Sequence, residues 1–362
     1  MGRKKTKWNV GWGAVSLCNM NCKFCYSRAK RDENRDLSYD DWIRFINENH
    51  EFIDSINYGT GENSLSNEWF MLIDYVRTHY STIRQAVTTN GYISKVMNDE
   101  QWKMEVVNHA IDEFDISLDY SDLEKHNEFR GQRNAGKWAI DTLRYCQEHD
   151  KEATIVCLGS KQNMYMENID GIFNIASQYR AKIRINIYRP TNGINEFSKQ
   201  FIWEPNELVD ILYCISEKYK ILAISDALFS NILTDKCEED HSGIDSIRIL
   251  PDGSITPSTY LISENYIIGN IKEPSVLNSL SEREILLDTI QEVIPKECET
   301  CVYKNKCKGG VIDRRYLWHG SLERKDPYCA FDVTKLKKIH LSDEKFESVH
   351  YGYLPTMFFM PR

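Results

Sequence analysis

Three cysteines, Cys18, Cys22 and Cys25, stand at C-x3-C-x2-C spacing just after an apolar run over residues 12–17. Thiolates so close in sequence can converge on one compact metal centre. A four-iron cluster normally takes four cysteines, so three would leave one iron without a protein ligand, free to bind and activate a small molecule. Zinc is the competing occupant, but a structural zinc site closes with four ligands, and no fourth Cys or His lies nearby. A second group has the opposite character. Cys298, Cys301 and Cys307 follow C-x2-C-x5-C spacing, and Cys329 comes after a gap in Asp326-Pro327-Tyr328-Cys329. Four thiolates can close a centre completely, either zinc or iron–sulfur.

The elements that must hold these groups read as alternating strands and helices. Residues 8–17 form the first expected strand, and β-rich apolar runs follow at 55–58, 86–89, 114–118, 153–158 and 183–188. Helical patterns lie between them at 39–49, 68–79, 135–148 and 169–178. Six strands with intervening helices imply an α/β fold, a parallel sheet with helices outside. Pro205-Asn206-Glu207 opens a further helix that ends near Lys220. Beyond it the texture changes. Residues 247–250 and 254–257 read as a hairpin around Pro251-Asp252-Gly253. The stretch 298–329 is rich in Cys, Lys and Gly, so metal rather than an apolar core is expected to hold it. The expected organisation is one domain over 8–225, a second over 226–333, and a tail over 334–362 that packs on the surface.

The first cysteine spacing is the signature of the radical S-adenosylmethionine (SAM) enzymes, and the chain resembles a member, with an aromatic residue, Tyr26, directly after Cys25. The resemblance implies an open, partial (β/α)6 barrel with its chemistry on loops at the C-terminal ends of the strands, where the cysteine loop falls. It implies a 4Fe–4S cluster on Cys18, Cys22 and Cys25, whose open iron holds the amino and carboxylate groups of SAM. Cleavage of SAM then gives a 5′-deoxyadenosyl radical that abstracts hydrogen from substrate. Gly59-Thr60-Gly61-Glu62 resembles the family's Gly-Gly-Glu motif, with Thr60 in place of the first glycine, so Gly61 and Glu62 are carried over as cofactor-binding residues. Thr89-Asn90-Gly91 ends the third strand, as in family members. Ser117 at the end of strand four, with Arg130 beyond it, resembles a run that helps hold the cofactor in peptide-modifying relatives. Ser117 would form a hydrogen bond and Arg130 a bidentate pair with a carboxylate, a surface salt bridge being the alternative for Arg130. Asn163 is a further candidate of that kind. Cys146, Cys157 and Cys214 fall on apolar faces and are expected to be buried small hydrophobes.

The later cysteines resemble the SPASM domain of peptide-modifying radical SAM enzymes, which usually carries seven cysteines and two auxiliary 4Fe–4S clusters. Against that pattern Ser258 stands where a cysteine belongs after Cys237, and Val311 where another belongs after Cys307. The cluster nearer the active site is therefore expected to be missing, and one auxiliary 4Fe–4S cluster to remain on Cys298, Cys301, Cys307 and Cys329. Cys237 is left over, as a structural remnant or as a thiol hydrogen-atom donor near substrate.

Composition narrows the remaining classes. The 362 residues are 41% hydrophobic and 27% charged, ordinary for a globular protein, and suffice for one large domain or two moderate ones. A net charge of -9 argues against a nucleic-acid partner. No signal peptide or long apolar run is present, so no membrane is expected. Eleven cysteines, seven of them in two tight groups, suggest a reducing cytoplasm and metal clusters rather than disulfides. The resemblance implies a maturase of a ribosomally made precursor peptide. Trp8-Asn9-Val10-Gly11-Trp12-Gly13 and Cys25-Tyr26-Ser27 resemble maturases of precursors with nitrile-hydratase-like leaders, which include the peptide spliceases. A splicease excises a tyramine-sized piece at an X-Tyr-Gly site and leaves an α-keto-β-amino acid. Epimerases and thioether- or carbon–carbon-crosslinking maturases share the architecture, and a metal-bound scaffold is the non-catalytic alternative. The expected partners are the precursor peptide, an external electron donor and, because little chain precedes the first strand, a separate small leader-recognition protein.

Overall fold

Apolar and polar residues alternate along the central strands, and the sheet sorts them by face. Ile183 and Ile185 flank Arg184, Ile247 and Ile249 flank Arg248, and Phe114 and Ile116 flank Asp115. In the computed structural model the apolar members join one core with the helices, while Arg184 and Arg248 line a cavity on the other face. A strand places successive side chains on opposite faces, so an Ile-Arg-Ile run belongs where one face is greasy and the other is polar. The structure describes residues 7–28, 31, 36–236, 238–282, 293–329, 332–350 and 356–362.

Eleven strands form one mixed sheet among the described residues. They are β1 (Trp8–Trp12), β2 (Ile53–Tyr58), β3 (Arg84–Thr89), β4 (Glu113–Ser117), β5 (Glu152–Gly159), β6 (Lys182–Ile187), β7 (Lys220–Ile224), β8 (Ser246–Ile249), β9 (Ser254–Thr256), β10 (Gly269–Asn270) and β11 (Met357–Met360). Their order is β10-β9-β8-β1-β2-β3-β4-β5-β6-β11-β7. β1 to β6 run parallel in chain order, as the alternation of strands and helices implies. Residues from β2, β3, β4, β5, β6 and β8 line a single cavity, so the sheet curves around it.

The connecting helices lie close to the expected spans: Tyr39–Asn49, Asn67–His79, Ala135–Glu148 and Met166–Gln178. Ser38 and Asp41 form a reciprocal capping box at the first of these. Trp12 packs edge-on against Trp42 and Phe45 of that helix and stacks on Tyr58 of β2. The first strand is shorter than the expected 8–17. Beyond Trp12 only the Gly13 N–H continues the ladder, to the Ile249 carbonyl at 2.8 Å, and the chain then crosses the end of the sheet.

Two additions extend the sheet beyond the expected six strands. The hairpin of β8 and β9 is present, and β8 pairs in parallel with the free side of β1, so the strands after residue 226 continue the same sheet. The C-terminal segment differs from a surface tail. β11 runs antiparallel between β6 and β7, with Met357, Phe358 and Phe359 fully buried. Apolar side chains on both faces make these residues a strand interior rather than a cover. Before β11, Glu113 accepts hydrogen bonds from Ser348 Oγ at 2.6 Å and Val349 N–H at 2.9 Å, and His350 Nδ1 lies 2.9 Å from Asp115. No helix among the described residues is long and apolar enough to cross a membrane.

Phe359 packs edge-on against Phe173 in the main core. Phe359→Ala is expected to cost ~3–5 kcal/mol of stability by urea unfolding, whereas Met71→Ala, at a side chain that is 49% exposed, should stay within ~0.5 kcal/mol.

Candidate active site

The cysteine loop is fixed at its root by backbone contacts. The Leu17 carbonyl, one residue before Cys18, accepts from the Glu62 N–H at 2.7 Å. Gly61, with φ +63°, sits against this crossing. A Cβ there would lie 2.3 Å from the Leu17 carbonyl oxygen and 2.5 Å from that of Val15, so glycine is required both by conformation and by space. Thr60 also has positive φ, +76°, an uncommon conformation for a β-branched residue at the position where the related motif has glycine.

The three thiols are free and each has a polar neighbour. Asn90 Nδ2 lies 3.8 Å from Cys18 Sγ and also donates to Asn19 at 2.8 Å. Cys22 Sγ lies 3.6 Å from the Arg130 carbonyl. Cys25 Sγ lies 3.4 Å from Ser27 Oγ and 3.5 Å from an Arg31 nitrogen. Burial pushes the Cys18 thiol up to about 11 and raises Cys22 as well, with Arg130 partly opposing the latter. Thiols in this state give up their protons readily only to a strongly cationic centre.

Gly61, Ser117 and Arg130 line the same cavity as the three cysteines. The carboxylate of Glu62 is fully buried and engaged elsewhere: it accepts from Ser64 Oγ at 2.7 Å, Thr89 Oγ1 at 3.0 Å and the Asn90 N–H at 2.8 Å. Burial raises its pKa, and these three donors oppose the rise. Glu62 thus ties the turn after β2 to the end of β3. Arg130 is no surface pair. Its helix, Leu123–Arg130, is capped by Asp122 at the start and by Gly131, in a left-handed conformation, at the end. There Arg130 Nε meets buried Asp119 at 2.6 Å, and its guanidinium lies over Phe24 of the cysteine loop at 5.1 Å. Asp119 also accepts from the Leu158 N–H at 2.8 Å, and its own N–H donates to His126 Nδ1 at 3.1 Å. Asn163 is buried and bonded to Ser160 and the Asp119 carbonyl, supporting β4 rather than facing the cavity.

The cavity measures about 190 Å³. Sequence reasoning missed much of its wall: Arg31, Arg184, Arg189, Arg248, Tyr260 and His350. A detectable signal existed for two of them, since Arg184 and Arg248 each interrupt a run of isoleucines at strand spacing. His350 carried none, because the tail brings it in from the far end of the chain.

The C-terminal cysteines gather away from this wall. A tight turn joins Cys298 to Cys301, whose N–H meets the Cys298 carbonyl at 3.0 Å. Burial pushes Cys329 up to about 11, and Cys298 and Cys301 are near enough to add to the rise; burial raises Cys307 too, with Cys329 and Cys298 contributing. Each of the four therefore lies within electrostatic reach of at least two of the others. Ser258 Oγ donates to Asp313 at 3.0 Å, and Asp313 pairs with Arg189 at 2.6 Å, while Val311 is fully buried. A polar network and an apolar side chain thus occupy the two positions where the related pattern has cysteines. Cys237 lies outside the described residues. Cys146 and Cys157 are buried as expected, but Cys214 is exposed.

Residues 15–169 match the model of the Radical SAM superfamily. The mycofactocin maturase MftC of Mycolicibacterium smegmatis is 21% identical over 340 residues, covering 88% of this chain and 81% of that protein. The Fe-coproporphyrin III synthase of Methanosarcina barkeri is 22% identical over 370 residues, covering 90% and 88%. The structure of Streptococcus suis SuiB bound to precursor peptide SuiA superposes with a TM-score of 0.67 at 16% identity, over 90% of this chain and 76% of SuiB. That of anSMEcpe with bound AdoMet and Cp18Cys peptide gives 0.63 at 17% identity, over 88% and 93%. These similarities show a radical SAM α/β fold, here built on a mixed sheet.

Two substitutions probe the site's supports. Gly61→Ala should lose ~1–3 kcal/mol from its backbone conformation alone, and the overlap with Leu17 should displace the cysteine loop, so both melting temperature and iron content fall. Burial lowers His126 from its ordinary 6.5 to about 4, more than Asp119 raises it. The unfolded chain therefore takes up this proton first, and stability present above pH 6.5 is lost as pH falls toward 4. About 2–3 kcal/mol of acid destabilisation should come from this group, and His126→Asn should flatten that part of the pH profile in denaturant titrations.

Proposed function

We propose that the chain is a radical SAM enzyme that modifies a ribosomally made precursor peptide. The observation that carries this reading is the placement of three free thiols from one loop on a cavity at the C-terminal ends of parallel strands. The residues fit a 4Fe–4S cluster on Cys18, Cys22 and Cys25. Asn90 and Arg31 stand at the sulfurs as donors, and the Ser27 hydroxyl can donate once Cys25 is a thiolate, the kind of outer contact that tunes such centres by offsetting thiolate charge. Gly61, with no room for a side chain, lets the backbone come close to an amino group, and Ser117 and Arg130 face the same space for a carboxylate or ribose. Glu62 holds that turn in place from behind. When bound, cluster and SAM supply hydrogen-atom abstraction, set off by one electron from an external donor. This chain's own residues orient the cofactor and the peptide against each other, and Phe24, Tyr188 and Tyr260 in the wall limit water beside a reactive species.

A peptide substrate is supported by the similarity to mycofactocin maturase MftC and to SuiB, whose structure holds precursor peptide SuiA. Within that class we infer tyramine excision at an X-Tyr-Gly site, supported by the resemblance of residues 8–13 and 25–27 to maturases that include the spliceases. The clustering of Cys298, Cys301, Cys307 and Cys329 supports one auxiliary 4Fe–4S cluster.

Anaerobically purified protein is expected to hold about eight irons per chain, and about four after Cys329→Ala. With SAM and dithionite it should form 5′-deoxyadenosine, which Cys18→Ala, Cys22→Ala or Cys25→Ala abolishes. Zinc in place of iron at these three cysteines would sink the enzymatic reading. On coexpressed precursor peptide, mass spectrometry should show loss of tyramine; loss of two hydrogens would mean a crosslink, and an unchanged mass an epimerase.

A further inference from the structure

Among the described residues the cavity wall carries five arginines and neither Asp nor Glu. Three of them meet carboxylates set behind the wall: Arg130 meets Asp119 at 2.6 Å, Arg184 meets Asp115 at 3.0 Å, and Arg189 meets Asp313 at 2.6 Å. Arg31 is committed to the Ser16 carbonyl at 2.8 Å and to the Cys25 sulfur. Arg248 stands apart. It is 2% exposed, and among the described residues it donates only to two hydroxyls, Tyr26 Oη at 3.3 Å and Thr60 Oγ1, and its Nε has no partner. Among the described residues no carboxylate lies within ion-pair distance of it. A guanidinium stays charged at any ordinary pH, and a buried charge without a counter-ion is strongly unfavourable. Two glycines keep the space beside it clear. A Cβ on Gly13 would lie 3.3 Å from one terminal nitrogen, and one on Gly59 3.6 Å from the other.

We propose that Arg248 is the seat of a carboxylate carried by the substrate, an assignment that rests on the radical SAM reading above. A guanidinium and a carboxylate match as two parallel N–H···O bonds, and the neighbouring Tyr26 hydroxyl adds a further donor. The cofactor candidates Cys18, Cys22, Cys25, Gly61, Ser117 and Arg130 all lie within the matched segment 15–169, whereas Arg248 lies beyond it on β8. Arg248 thus comes from outside the segment that supplies those candidates, and we assign it to the other ligand, the molecule being modified. In a peptide that group is the C-terminal carboxylate or an Asp or Glu side chain.

The test uses the full-length, anaerobically reconstituted protein with SAM, followed by thermal melts. The probes are N-acetylglycine as a C-terminal mimic, N-acetylaspartic acid α-amide as a side-chain mimic, and N-acetylglycinamide as the neutral control. At least one carboxylate probe should raise the wild-type melting temperature while the neutral control does not, and the probe that acts identifies the source. Arg248→Met should need at least about tenfold more of that probe for the same shift, and without probe it should melt no lower than wild type, because an uncompensated buried charge has been removed. A lower melting temperature with no change in probe response would make Arg248 a structural residue and overturn the proposal. Loss of the SAM-induced shift in Arg248→Met would give the arginine to the cofactor and overturn it equally, as would a wild type indifferent to both carboxylates. Wild-type formation of 5′-deoxyadenosine is measured separately, so failure of the enzymatic reading shows itself apart from failure of this one.

Discussion

The meeting of two loop backbones at Gly61 underlies the rest of the site. The Leu17 carbonyl and the Glu62 N–H join the loop after β1 to the turn after β2, one residue short of Cys18. From the same turn the Glu62 carboxylate reaches Thr89 and Asn90 at the end of β3, and Asn90 returns to Asn19 and the Cys18 sulfur. The circuit closes across three neighbouring strands. The cysteine loop, a segment without regular structure of its own, therefore inherits the rigidity of the sheet. A site held this way needs little local secondary structure, because hydrogen bonds to fixed strand ends do the positioning.

Charge is distributed on the inner face by a similar logic. Parallel strands place polar residues at alternate positions, and in the middle of a protein each must find a partner. Arg130, Arg184 and Arg189 are balanced by Asp119, Asp115 and Asp313, residues drawn from β4, its following loop and a C-terminal helix. Buried pairs of this kind add little net stability over apolar packing, but removing one partner is costly, so they fix the wall in one arrangement. The tail takes part. His350 joins Asp115 and Arg184, and β11 fills the gap between β6 and β7, so a segment from the end of the chain closes the wall opposite the cysteines.

The local elements were legible in the sequence to a useful degree. The helix at 39–49 carries its own start signal in Ser38 and Asp41, and the helix at 135–148 its own amphipathic period, so both emerge at the expected bounds. The hairpin of β8 and β9 was marked by Pro251-Asp252-Gly253. β7 and β11 were not marked, because each is short and acquires its strand character from its neighbours in the sheet, β7 from β11 and β11 from both β6 and β7. Arg130 shows the same limit. Its identity suggested a carboxylate partner, but only the fold determined that the partner is Asp119 in the interior rather than an acid at the surface.

By itself the sequence determined the chemistry that depends on spacing: three thiols too close together to serve separate purposes, a glycine turn after the second strand, and a sheet whose strands alternate with helices. Those features are local, and a few covalent bonds enforce them. Only the tertiary structure decided which charges face one another. It seats β8 beside β1 and thereby brings Arg248 to Thr60 and Tyr26, and it carries His350 from the tail to Asp115. Contacts between residues so distant along the chain are set by burial and pairing across the whole sheet, and no short stretch of sequence records them.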